Sequence, residues 1–207
     1  MRVTRVRKEH CMNPIRLVKF WTPLFVASVA GVLLFGQSGN PVNFQADLNG
    51  YREAPPVSTA ATGEFRATLN SSGTEIAYEL VYCRLSTPVL FAHIHFGQPG
   101  VNGGVMTFLC GGGNSPACPP GNGTAEAKVT GVLRAASVVG PAGQGIPAGD
   151  FAKAIAAIRT GAAYVNVHSS NFPGGEIRGQ VRRGGGKDDD DDDDDDDRGR
   201  GRGKGKQ

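Results

Sequence analysis

The chain has 207 residues, 22 basic and 19 acidic side chains, 31 glycines and 13 prolines, with a formal charge of +3. Six of the basic residues and Glu9 lie within residues 1–38, so the rest of the chain holds 16 basic against 18 acidic groups, a net charge of −2. No basic patch for nucleic acid survives that subtraction, and a nucleic-acid partner is excluded.

The first 38 residues read as an export signal. Arg2, Arg5, Arg7, Lys8, Arg16 and Lys19 form a positive leading region, and an apolar run follows over residues 21–35. Gly36-Gln37-Ser38 then places small residues at the positions a signal peptidase reads. The run is shorter than the ~20 residues a spanning helix needs, so cleavage is expected and no membrane attachment after it. The expected location is outside the cytoplasm: secreted, periplasmic or at the cell surface.

Residues 42–183 make one expected domain, a length that suits a single core. Short apolar runs alternate with glycine- and proline-rich turns, the pattern of an antiparallel β-sandwich. Strands are predicted at 42–48, 64–69, 74–82, 90–96, 105–109, 125–133, 163–168 and 176–182. In the third, Ile76, Tyr78, Leu80 and Tyr82 share one face, and Ser71-Ser72-Gly73 turns the chain back from the second. Gly97, Gly100, Gly103 and Gly104, with Pro99, are read as a loop that uses positive φ angles.

One segment departs from the period of two. Phe151, Ala154, Ile155 and Ile158 recur at helical spacing, Asp150 suits an N-cap, and Gly161 sits where a C-terminal glycine belongs. A single short helix is predicted over 150–160. The fold class is therefore all-β, a sandwich of the immunoglobulin or superoxide-dismutase type with one short helix.

Cys110 and Cys118 flank a glycine-rich loop and are predicted to form a disulfide in an oxidising compartment. Closing so short a loop contributes roughly 2.5 kcal/mol in the chain-entropy description. With Cys11 discounted as part of the export segment, Cys83 is left over and is expected to be a buried free thiol.

Residues 184–207 form a tail of Gly184-Gly185-Gly186, an aspartate run over 188–197, and alternating Arg or Lys with Gly. Nothing in it can bury apolar surface, so disorder is expected. The bland reading is a solvated tail; the sharper one is a calcium-binding run, since hard cations take oxygen ligands, on a cell-surface or matrix protein.

The chemistry concentrates in two stretches. Three of the four histidines fall in Ala92-His93-Ile94-His95-Phe96-Gly97 and in the segment from Tyr164-Val165-Asn166-Val167-His168 through Glu176-Ile177-Arg178-Gly179-Gln180. His93 and His95, two apart in a strand, leave the same face, and His168 is the third candidate ligand. Three neutral imidazoles suit copper or zinc. The structural alternative is a buried polar network in which the histidines bond to backbone carbonyls or to acids, with Glu176, Arg178 and Asn166 as partners, and in which the 172–175 turn is fixed. No Ser-His-Asp set or paired-carboxylate motif is present to support acid–base catalysis, so the protein is read as non-enzymatic.

These stretches, with Leu48-Asn49-Gly50-Tyr51-Arg52-Glu53-Ala54-Pro55-Pro56-Val57 and Gly63-Glu64-Phe65, resemble the CHRD domain, the module repeated in chordin and found singly in many exported proteins. The resemblance covers about residues 44–181. It implies an extracellular binding or interaction module, its partner an unidentified extracellular protein or surface ligand. The His-x-His strand also resembles that of copper/zinc superoxide dismutase, but the further ligands of that enzyme have no counterparts here, which argues against dismutation.

Overall fold

The computed structural model describes residues 40–184. The expected export signal and the aspartate run, with its expected disorder, lie outside the described residues.

Every strand expected from the sequence forms, all pairing antiparallel. In chain order these are β1 (Val42–Asn49), β2 (Thr62–Leu69), β3 (Ile76–Cys83), β4 (Val89–Phe96), β5 (Gly104–Cys110), β6 (Ala127–Leu133), β7 (Ala163–Ser169), β8 (Ile177–Gln180) and β9 (Arg182–Arg183). Alternation sets their faces: in β3, Ile76, Tyr78, Leu80 and Tyr82 are all buried, while Ala77 between them is exposed. The strand expected over 176–182 is divided. Val181, fully buried, donates its N–H to Ala163 O, and the next residues leave β7 to pair with β1 at Phe44 and Gln45.

The helix α1 (Phe151–Arg159) is capped at both ends. Asp150 accepts from the Lys153 N–H at 3.1 Å, the side-chain cap that satisfies a first-turn donor. At the other end Gly161, at φ +73°, donates to Ile158 O while Ala162 donates to Ala157 O. Those two bonds make a Schellman ending, which needs a left-handed residue at that position. Phe151, Ala154, Ile155, Ala157 and Ile158 face the core.

The strands follow one path, β5-β4-β7-β8-β1-β2-β3-β6, with β9 on β1. This refines the expectation of a two-sheet sandwich. The two four-strand halves face one another across one core, yet β1 joins them through the Asn49–Arg178 pair, so the sheet is continuous and curls on itself. Tyr78 of β3 reaches across to donate to Leu109 O of β5 at 2.8 Å. The outer strands β5 and β6 are bridged by the connection after β6, where Thr107 pairs with Val138 and Val139 donates to Met106 O. The result is nearly barrel-like, which leaves little free edge.

Cys110 and Cys118 form the expected disulfide. Cys83 is also disulfide-bonded, and no described cysteine is free. This corrects the reading of Cys83 as a buried free thiol. Among the described residues no helix is long and apolar enough to cross a membrane.

Candidate functional site

β4 carries two kinds of residue on its two faces. Ala92 and Ile94 point into the core and are fully buried, so His93 and His95 occupy the opposite, outer face. On the neighbouring strand β7, Val165 and Val167 enter the core and Tyr164, Asn166 and His168 share the histidine face. The register pairs His93 with Asn166, His95 with Tyr164 and Phe91 with His168. The ladder with β5 is irregular on the far side of β4, with shifts between Ala92 and His93 and between Ile94 and His95. Bulges of this kind re-aim side chains, and here they flank each histidine.

The three histidines converge. Their ligand atoms lie within 4.8 Å of one another, and all three residues are buried although they sit outside the core. Loops supply the cover. Arg178, from β8, donates to Gln98 O at 3.0 Å, Val101 O at 2.7 Å and Asn102 Oδ1 at 3.2 Å, which pins the 97–103 loop over the face. Asn102 donates in turn to Ala54 O. Of the four glycines expected to need positive φ here, only Gly100 has it, at +73°. Gly103 is small for another reason: a Cβ there would lie 1.7 Å from Phe96 O.

The backbone fixes the tautomers. His95 Nδ1 is 3.0 Å from Gly103 O, and His168 Nδ1 is 2.9 Å from Pro173 O. A carbonyl oxygen only accepts, so both Nδ1 atoms carry the proton and both Nε2 atoms present a lone pair. His168 Nε2 lies 3.2 Å from His93 Nδ1. His95 Nε2 is buried and has no partner. Carbonyls that orient imidazoles in this way are the usual outer support of a metal-binding histidine.

Desolvation dominates the electrostatics. It lowers His93 to about 3, with the neighbouring His168 and His95 adding to the effect. It lowers His168 to about 4, partly opposed by the Pro173 carbonyl. His95 is also lowered, by burial first and by the Arg178 charge, against the opposing Gly103 carbonyl. All three rings are therefore neutral near pH 7, the form that ligates metals.

Aromatic rings wall the cluster. Phe91 lies 5.0 Å from His93 and 4.7 Å from His168 between ring centroids, and Phe108 meets His93 edge-on at 4.5 Å. Tyr164 stacks on His95 at 4.7 Å with an interplanar angle of 2°. The Arg178 guanidinium lies 3.3 Å over the Tyr164 ring, a cation–π contact.

Glu176 and Asn166, named from the sequence as partners of the histidines, bond to other groups instead. Glu176, fully buried, accepts from Thr59 Oγ1 at 2.8 Å, from the Ser86 N–H and hydroxyl at 2.8 and 2.9 Å, and from the Ser169 hydroxyl. It ties the 59–61 segment, the β3–β4 turn and the end of β7 together. Asn166 donates to Glu53 Oε1 at 2.5 Å, and Asn166 Oδ1 is buried without a partner. Burial pushes Glu53 up to about 7, against the pull of Arg178, the Ala54 N–H and Asn166. Gly175, at φ +129°, lets the carboxylate approach: a Cβ there would be 2.6 Å from Glu53 Oε1.

Sequence reasoning missed Glu53 and Tyr164 as parts of this face. Glu53 lay in the opening motif, the one signal that pointed to it. Tyr164 shared the predicted face of His168. The carbonyls of Gly103 and Pro173 carry no residue-specific signal at all.

An all-β module with a loop-roofed histidine cluster on its outer face is thus the class this chain defines. The CHRD domain family model matches residues 44–181, and the chain belongs to that family. No curated protein and no solved structure matches it.

Proposed function

We propose that the chain is an exported, non-enzymatic CHRD-domain protein, an extracellular-type binding module whose ligand is a transition-metal ion held by His93, His95 and His168. The observation that carries this reading is His95 Nε2, a lone pair buried beside two other imidazoles and bonded to nothing. Leaving such an atom unsatisfied costs about 1–3 kcal/mol, and a metal ion supplies the missing partner. Copper and zinc are the ions that suit three nitrogen donors. Family membership and the Cys110–Cys118 bridge support a location outside the cytoplasm. The histidines' own hydrogen bonds run to one another and to carbonyls rather than to a hydroxyl, which supports a binding role over nucleophilic catalysis.

A second reading has its own observation. The 3.2 Å contact between His93 and His168 is a satisfied hydrogen bond without any ion, and it favours a purely structural network. Calorimetric titration of the exported protein with Zn²⁺ and Cu²⁺ separates the two. One equivalent bound, and lost in His95→Ala, supports the metal site. No binding by the wild-type protein, with His95→Ala less stable, supports the network.

A further inference from the structure

The donor set has a feature that bears on which ion it takes. All three candidate ligands are uncharged imidazoles, and the cluster contains no carboxylate or thiolate. Cys110 and Cys118 are bridged to one another and offer no thiolate. The Glu53 carboxyl is turned to the Asn166 amide, and Arg178, stacked on Tyr164, is itself positive. Phe91, Phe108 and Tyr164 line the cluster, and each histidine is no more than 8% exposed. An ion here is therefore desolvated with no anionic ligand among its donors.

The cost of burying an ion rises with the square of its charge, so a divalent ion pays about four times what a monovalent one does in the same site. Divalent zinc also wants a fourth ligand, and divalent copper a tetragonal set. Three convergent nitrogens match the low coordination numbers that a monovalent d¹⁰ ion accepts.

Resting on the metal-binding reading above, we propose that the His93–His95–His168 site is selective for copper in its +1 state over Cu²⁺ and Zn²⁺. This inverts the ordinary affinity order, in which Cu²⁺ leads the divalent ions at nitrogen sites. The selectivity comes from the absence of an anionic ligand, from the aromatic wall and from the small number of nitrogen donors.

The test uses the full exported chain. Cu⁺ is supplied as its acetonitrile salt under argon and titrated in competition with bicinchoninate. Cu²⁺ in air and Zn²⁺ are titrated against chromophoric chelators at the same pH. The expected result is one Cu⁺ per chain, bound tighter than Zn²⁺ and Cu²⁺ by about a hundredfold or more. Phe108→Asp, which sets a carboxylate beside His93, is expected to shift that ratio toward the divalent ions by at least about tenfold. Tighter binding of Zn²⁺ or Cu²⁺ by the wild-type protein overturns the selectivity while leaving the metal site standing. Binding of none of the three ions overturns the metal-binding reading itself.

Discussion

His93 Nδ1 and His168 Nε2 lie 3.2 Å apart although the two residues are not register partners; Phe91 is the residue opposite His168. The contact is diagonal across β4 and β7, within reach of long side chains on adjacent strands. It makes His168 the hinge of the cluster, bonded to His93 through one nitrogen and to the 172–175 turn through the other.

That asymmetry predicts different costs for two alanine variants. His168→Ala leaves both Pro173 O and His93 Nδ1 without a partner and is expected to lower metal-free stability by about 1–3 kcal/mol. His95→Ala strands only the Gly103 carbonyl, at a roof loop, and removes an atom that was already unsatisfied. It is expected to cost less than His168→Ala while abolishing metal binding equally. Denaturant melts of the two variants beside metal titrations check the order; equal costs would contradict it.

The depressed histidines predict an acid-side loss of stability. His93 and His168 stand at about 3 and 4 in the folded protein, below their ordinary 6.5. Between about pH 4 and 6.5 the unfolded chain binds protons that the folded one refuses, so stability is full above 6.5 and falls as pH falls through that window. Each group contributes up to about 1.4 kcal/mol per pH unit inside its window. Urea unfolding at pH 4.5, 5.5 and 7 measures the slope, and a flat profile in a Glu53→Gln background would contradict it.

Glu53 works in the opposite direction. Its folded value is raised from 4.5 to about 7, so its contribution is present at low pH and is lost as pH rises from 4.5 to 7. Glu53→Gln keeps a side-chain oxygen for the Asn166 amide and removes the titration. The variant is expected to gain on the wild type steadily between pH 4.5 and 7, then run parallel to it. A difference independent of pH would show that the carboxyl is not buried as described.

The cysteines predict a peptide map. Digestion without reduction is expected to yield a Cys110–Cys118 linked peptide. Replacing Cys110 and Cys118 together with alanine is expected to cost about 2.5 kcal/mol, the loop-closure value for so short a ring. Metal binding is expected to persist in that double variant, because neither cysteine belongs to the histidine cluster.

What the chain determined by itself was local. Period-two alternation placed Ile76, Tyr78, Leu80 and Tyr82 on a buried face, and Asp150 and Gly161 marked the ends of α1, because pleat and cap geometry act within a few residues. The same alternation put His93 with His95, and His168 with Tyr164 and Asn166. Tertiary structure decided the rest. That β1 bonds to both halves, so that the sandwich is one curled sheet, depends on pairing between Asn49 and Arg178, far apart in sequence. That the histidines lie outside the core, yet buried, depends on a roof pinned by Arg178. Their tautomers are set by the carbonyls of Gly103 and Pro173, groups that every residue possesses. Sequence names the side chains that can ligate, and only the folded backbone decides which nitrogen is left free to do so.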